Sequence, residues 1–313
     1  MKISQIIKKN LLVENKFIIL LYHGVEDTKT YGIQNYNNKH ISTEEFDHQI
    51  NFLSKHCNVI SLKKLISYFS QKKNFPKNTV VITFDDGFEN NYTKAIPILK
   101  KYSLPATFYI SIGNIINNEM FWVDKIEDCI NYTLKRNLRL KLDHEINFKL
   151  ESNSQKIVAV NNIKTWCKSI VNYKKDLIID EIINKLEVIP KISSWSGYKL
   201  LKLSQINEID KSELFEIGGH SYKHKILSML SNDELKIEIN DSIFNLQKIL
   251  NRKIDFYAYP EGQEHHFDKR VIKLLKDKNI ACCPTAIPGV NSLGDDLFNL
   301  KRYMVGMNGI NFE

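Results

Sequence analysis

The chain has no basic tail. Its 313 residues carry a formal net charge of +8 and a pI near 9.0, yet no run of five or more Lys/Arg occurs. The excess cations sit on solvated lysine- and asparagine-rich faces, or they draw in an anionic substrate, a membrane surface or nucleic acid. No nucleic-acid module is recognisable, so charge alone speaks for that last partner. Cysteine is scarce and unpatterned. Cys57, Cys129, Cys167, Cys282 and Cys283 are odd in number, and their spacing fits neither a zinc ribbon nor a disulfide framework. Reduced thiols and a cytoplasmic protein are the expectation. Long apolar runs are missing too. Met1 to Asn15 has lysines but no apolar stretch of signal-peptide length, and Phe17-Ile18-Ile19-Leu20-Leu21-Tyr22 is too short to cross a bilayer. Contact with a membrane is expected at its surface only. No internal repeat or low-complexity linker is visible.

What is present is a rhythm. Short apolar runs at Phe17–Tyr22, Thr79–Phe84, Ala106–Ile112, Leu214–Ile217, Ile254–Tyr259, Ile280–Ala286 and Leu300–Val305 read as strands. Helical patterns lie between several of them, at Asn90–Tyr102, Asn232–Leu250 and Phe267–Lys278. In Asn232–Leu250 the residues Leu235, Ile239, Ile243, Leu246 and Leu250 recur at steps of four and three behind a capping box, Ser231-x-x-Glu234. Strands alternating with helices predict a mostly parallel α/β fold. The block from Asn117 to Lys191 breaks the rhythm. Phe121–Lys135 and Ile157–Leu186 read as helical and Leu138–Leu150 as a hairpin or edge strand. The block is expected to be an insertion, a lid or partner surface, in a single domain spanning 1–313.

Two motifs carry chemistry. Thr83-Phe84-Asp85-Asp86-Gly87 places adjacent carboxylates at the end of an apolar strand, where charge must be paired or bound to metal. In an extended segment the two side chains face opposite sides, so one can ligate while the other faces substrate. An ordinary Asp-Gly turn is the alternative. Gly218-Gly219-His220-Ser221-Tyr222-Lys223-His224 follows an apolar strand and reads as a strand-end loop, where α/β proteins place their sites, and its spacing of four puts both imidazoles on one face of a single helical turn. One Asp and two His form a facial set suited to zinc, with cobalt, nickel or iron as alternatives.

Taken in order, these motifs resemble those of the polysaccharide deacetylases (carbohydrate esterase family four). Val81-Ile82-Thr83-Phe84-Asp85-Asp86-Gly87 and His220-Ser221-x-x-His224 match the first two motifs. Phe256-Tyr257-Ala258-Tyr259-Pro260-Glu261-Gly262 is similar to the third. Leu21-Tyr22-His23-Gly24-Val25 matches a branch with a Tyr-His motif, and Phe121-Trp122-Val123-Asp124 resembles the start of an insertion in members linked to surface-glycan assembly. The resemblance implies a distorted (β/α)7-type barrel with a mostly helical insertion at 117–191. It implies Asp86, His220 and His224 as metal ligands, Asp85 as general base, His23 as general acid, and the backbone N–H of Glu261 as an oxyanion donor.

Two departures stand out. The arginine that usually orients the base is absent from Ile254–Gly262, and Arg302 is the substitute candidate, a structural salt bridge being the alternative. The late Leu-x-His motif is also absent, which favours His23 in its place; a satisfied strand-end histidine is the other reading. The Glu261 side chain stands where an aromatic is common and either recognises an amine or faces water. Trp122, Trp166, Trp195 and Tyr222 either stack on sugars or pack in the core. His265 and His266 read as surface loop residues without a ligand role.

The implied activity is metal-dependent removal of an N-acetyl group from an amino sugar of a glycan or glycan precursor in bacterial surface-polysaccharide biosynthesis. A nucleotide- or lipid-linked substrate would suit the positive charge. Deformylation of a formamido sugar, or silent glycan binding on the same fold, are the alternatives.

Overall fold

A computed structural model describes residues 15–307; the N-terminal segment read above for a signal lies almost wholly outside them. In chain order the strands are β1 (Lys16–Tyr22), β2 (Gly24–Val25), β3 (His40–Ile41), β4 (Asn58–Val59), β5 (Thr79–Phe84), β6 (Ala106–Ile110), β7 (Asn137–Lys141), β8 (Glu145–Lys149), β9 (Phe215–Gly219), β10 (Asn291–Ser292) and β11 (Tyr303–Met304). The α-helices are α1 (Thr43–His56), α2 (Leu62–Ser70), α3 (Ile96–Lys101), α4 (Ile112–Ile116), α5 (Trp122–Tyr132), α6 (Asn153–Lys168), α7 (Asn172–Leu186), α8 (Leu203–Asp210), α9 (Asn232–Leu250) and α10 (Lys269–Asp277).

The strands curl into a barrel. β1 pairs in parallel with β5, β5 with β6, and β6 with β9. Beyond β9 the wall continues through single bridges, Gly219 to Tyr257 and Phe256 to Cys282. Thr285 N–H then donates to Leu300 O at 2.8 Å, and β11 pairs in parallel with β1, which closes the ring. The barrel is thus regular on one side and irregular on the other. The runs Ile254–Tyr259 and Ile280–Ala286 are staves of this wall but not continuous strands. Each runs into a proline, Pro260 and Pro284, which cannot donate to a ladder.

β5 is buried along its whole length, as a parallel strand with both faces covered must be. α9 starts at the Ser231–Glu234 capping box and buries Leu235, Ile239, Ile243 and Leu246 against the barrel. Asn90–Tyr102 is not one α-helix: Asn91–Ala95 is a π turn leading into α3, beside Pro97, whose missing N–H interrupts the regular ladder. Residues 122–186 hold α5, the antiparallel β7–β8 hairpin, α6 and α7 around an apolar cluster of their own, with Ile126, Ile130, Leu140, Val160, Ile163 and Ile182 at its centre. No helix of the described residues is long and apolar enough to cross a membrane.

All five cysteines are free thiols, and burial pushes Cys57, Cys129 and Cys167 up to about 12, with Cys282 and Cys283 raised as well. A thiol reagent at about pH 8 is therefore expected to show no fast phase with the native protein and to titrate five thiols after unfolding. A fast native phase would contradict this packing.

Candidate active site

The C-terminal ends of β1, β5 and β9 meet at one cleft of about 220 Å³ that His23, Asp85, Asp86, His220, His224 and Glu261 all line. Each side chain arrives there for a local reason. Asp85 follows β5, and its N–H donates to Tyr22 O at 2.9 Å, continuing the β1–β5 ladder. Asp86 then leaves the strand with φ +78 and Gly87 with φ +93. Two consecutive residues in the left-handed region turn the chain sharply, a conformation glycine adopts without strain. The expectation that the two carboxylates face opposite sides is therefore corrected: the turn brings both into the same cleft.

The histidine motif is not a helical turn either. It is a loop in which Ser221 (φ +59) and His224 (φ +53) are left-handed. The loop is pinned where it leaves β9, because His220 N–H donates to Ile110 O at 3.0 Å and Ser111 Oγ donates to His220 O at 2.6 Å.

Asp85 is clamped. Arg302 donates from both terminal nitrogens to its two carboxylate oxygens, each at 2.7 Å. Arg302 is wholly buried, and two further donors go to Thr285 O at 2.7 Å and Thr83 Oγ1 at 3.2 Å. Burial pushes the Asp85 carboxyl up, but the Arg302 guanidinium and then His220 outweigh this and hold it below the usual carboxylate range.

The other carboxylate has no such partner. Asp86 Oδ1 is buried with His224 Nε2 at 3.2 Å, where burial lowers the His224 pKa but the Asp86 charge outweighs it and raises it, and with His220 Nε2 at 3.5 Å in no hydrogen bond. The His220 ring explains the mismatch. Its Nδ1 lies 2.9 Å from Ala258 O, and a carbonyl can only accept, so Nδ1 carries the proton. Burial lowers His220 to about 4, so the ring is neutral and Nε2 presents a bare lone pair to the carboxylate. Lone pairs facing a carboxylate repel unless a cation lies between them. Among the described residues Asp86, His220 and His224 are the set whose ligand atoms all fall within 4.8 Å of one another. The donor chemistry of one carboxylate and two imidazoles fits a divalent transition metal.

His23 lines the same cleft with Nδ1 buried and unpartnered. Burial lowers its pKa, opposed by the Asp86 and Asp85 charges. Glu261 stands at φ +60, and no hydrogen bond among the described residues uses its N–H. Its side chain neither faces water nor stands free. It pairs with Lys168 of α6 at 2.6 Å, and this partner, outweighing burial, lowers the carboxyl to about 2. His266 is not a surface residue: it is buried, and its Nδ1 accepts from Gln263 N–H at 3.1 Å. Trp122 and Trp195 are buried, and of the aromatics considered for stacking Trp195 reaches the cleft.

Sequence reading did not find the opposite wall. Lys39, His40, Asp124, Glu127, Lys164 and Tyr198 line it. Its one legible trace was the Phe121-Trp122-Val123-Asp124 motif; the lysines carry no motif.

Comparison with known proteins agrees with this geometry. The model of the polysaccharide deacetylase family matches residues 72–282. The chain belongs to the polysaccharide deacetylase family. A poly-beta-1,6-N-acetyl-D-glucosamine N-deacetylase of Staphylococcus aureus is 34% identical over 131 residues, covering 38% of this chain and 44% of that protein. The Staphylococcus epidermidis protein of the same name is 37% identical over 102 residues, 32% of each chain. The match thus spans less than half of either curated relative. Among solved structures, the Streptococcus pyogenes deacetylase PplD in complex with acetate superposes with a TM-score of 0.62 at 19% identity, covering 95% of both chains. IcaB from Ammonifex degensii gives 0.60 at 17% identity, covering 93% of this chain and 92% of its own. At these identities the likeness is one of fold, and it places the chain among the distorted barrels of this family.

Removing one partner of a buried pair strands the other charge. Arg302→Met is expected to lower unfolding stability by about 3–5 kcal/mol, and the double variant Arg302→Met/Asp85→Leu to recover much of that. Denaturant unfolding checks this, and a single variant as stable as wild type would show the pair to be solvated.

Proposed function

We propose that the protein is a metal-dependent N-deacetylase acting on an N-acetylglucosamine polymer or oligomer of a bacterial surface polysaccharide. The observation that carries the proposal is the convergence in one cleft of an arginine-clamped carboxylate and an unsatisfied Asp-His-His set. Family membership and the names of the staphylococcal relatives support it.

The geometry supports the following roles. Asp86, His220 and His224 would hold the ion. The chemistry supplied by a bound zinc ion, or by cobalt, nickel or iron in its place, is polarisation of the amide carbonyl and acidification of water. Asp85, kept ionised and fixed in orientation by Arg302, takes the proton from the attacking water. The unspent N–H of Glu261 faces the oxyanion that develops on the carbonyl. His23 gives a proton to the departing amine, which leaves poorly as an anion. Arg302 is a positioning residue for Asp85.

The lining also bears on the form of the substrate. Each of the three lysines lining the cleft has a carboxylate partner: Lys39 with Asp124, Lys164 with Glu127, and Lys168 with Glu261. No lining lysine is free of a carboxylate, so none offers a phosphate an uncompensated positive charge, which favours an uncharged sugar chain over a nucleotide- or lipid-linked precursor. The net charge of +8 lies elsewhere on the surface.

The test is acetate release from a β-1,6-linked N-acetylglucosamine oligomer. Release is expected to stop with a chelator and return with added zinc, and Asp85→Asn is expected to lower kcat by roughly 10²–10⁴. No acetate from zinc-loaded protein would sink the activity, and full activity of Asp85→Asn would sink the base assignment. His23→Gln is expected to slow the amide far more than an acetate ester with a phenolate leaving group, which needs no proton to depart. Equal slowing of both would remove His23 from the role of acid.

A further inference from the structure

We infer that Lys39, His40 and Asp124 form the subsite that holds the ring hydroxyls of the sugar undergoing deacetylation. The inference rests on the reading above and extends it to a region to which no role has been given. All three residues line the cleft beside His23 and Asp86. Lys39 Nζ donates to Asp124 Oδ1 at 2.7 Å, with side chains 11% and 3% exposed. One ammonium hydrogen is spent there. The ammonium also sits 4.6 Å from the Phe88 ring centroid, and among the described residues no second hydrogen-bond acceptor takes its other hydrogens. Asp124 Oδ2 is buried with no hydrogen-bond partner.

His40 completes the set. Its Nδ1 lies 2.9 Å from the side-chain nitrogen of Asn90, whose oxygen accepts from Val25 N–H at 3.3 Å. The Asn90 nitrogen is therefore the donor, Nδ1 the acceptor, and the proton sits on His40 Nε2. That N–H is buried and unpartnered. The ring is held in place: a Cβ on Gly24 would lie 2.0 Å from Nδ1, and Trp195 packs edge-on at 5.2 Å. So the cleft carries an unspent carboxylate oxygen, an unspent ammonium and an unspent imidazole N–H, all desolvated. Buried polar groups are normally satisfied, and groups left unsatisfied in a cleft await a ligand.

A hydroxyl both donates and accepts. An adjacent pair of ring hydroxyls can give one hydrogen to Asp124 Oδ2 and take hydrogens from Lys39 and His40. A β-1,6-linked N-acetylglucosamine chain leaves two adjacent ring hydroxyls free on each residue, whereas a β-1,4-linked chain leaves one. The subsite therefore selects the β-1,6-linked polymer, and the insertion that carries Asp124 contributes to substrate choice.

The experiment compares wild type, Asp124→Asn and Lys39→Met on β-1,6-linked and β-1,4-linked N-acetylglucosamine tetramers and on 4-nitrophenyl acetate, an ester with no sugar. Each variant is expected to lose roughly 10- to 100-fold in kcat/KM on the β-1,6 tetramer, chiefly through KM, with a much smaller loss on the ester and a narrower preference between the tetramers. Equal losses on all three substrates, or no loss on the tetramer, would overturn the subsite. If a single variant fails to fold because one charge is stranded, Lys39→Met/Asp124→Leu removes both charges and gives the same comparison. Wild type that cleaves the ester but neither tetramer would overturn the proposed activity and the subsite with it. Wild type that cleaves the tetramers no better than Asp124→Asn would overturn the subsite alone.

Discussion

The buried pair between Asp85 and Arg302 is the contact on which the rest of the site depends. It joins β5 to the strand that closes the barrel, so ring closure and base orientation are one event. Taking two charges out of water costs several kcal/mol per ion, and a pair recovers this only with good geometry and its other valences satisfied. The geometry here is good and four of the five guanidinium hydrogens are taken. The bond is bidentate with each distance 2.7 Å, and two further hydrogens reach Thr285 O and Thr83 Oγ1. The Tyr109 ring covers the guanidinium at 5.5 Å. With both oxygens committed to Arg302, Asp85 is a poor ligand and is fixed in the orientation that the proposed base needs. The division of labour between two neighbouring aspartates comes from which of them the arginine reaches.

Asp86 shows the opposite condition. The same barrel that satisfies Asp85 leaves Asp86 Oδ1 facing two imidazole nitrogens with no proton between His220 Nε2 and itself. The hydrogen bond from His220 Nδ1 to the backbone fixes the tautomer, as second-layer contacts of metal-bound histidines do. A backbone carbonyl that keeps that lone pair aimed at a carboxylate suits the set to a cation. The left-handed backbone at Asp86, Ser221, His224 and Glu261 belongs to the same arrangement, since these are uncommon conformations for residues with a Cβ, and they cluster where side chains must converge.

Much of this was legible in the sequence, and the reasons are specific. β5 and α9 were readable because burial on both faces of a strand and on one stripe of a helix writes a period into the residues. The capping box fixed the start of α9. Arg302 was readable as a candidate because the usual position had no arginine and the last strand had one. The orientation of Asp85 and Asp86 was misread, because alternation holds only while the backbone stays extended, and φ +78 at Asp86 ends that. The histidine spacing was misread as helical for the same reason: left-handed residues can bring positions four apart together without a helix. His266 was taken for a surface residue because burial in a loop leaves no periodic trace. The irregular staves around Phe256 and Cys282 were placed but their strand content overstated, since a ladder broken by prolines still requires apolar residues.

The insertion was recognised by what it lacked, and its role followed only from contacts. Its helices carry their own apolar cluster, and Phe121 and Val123 at its start also pack into the main core. The cleft face it presents to the barrel carries charge as well. Asp124 of α5 meets Lys39, and Lys168 of α6 meets Glu261, while Lys164 and Glu127 pair α6 with α5 inside the insertion. Ion pairs buried at a seam add little net stability, but each is costly to break, so they fix the position of one body on the other more than they hold it there. The Glu261–Lys168 pair has a particular place in this. It ties the residue whose N–H remains free at the cleft to a helix outside the barrel. The pose of that N–H is thereby set by the insertion, and the wall lined by Lys39 and Asp124 and the loop of Glu261 are parts of one assembly.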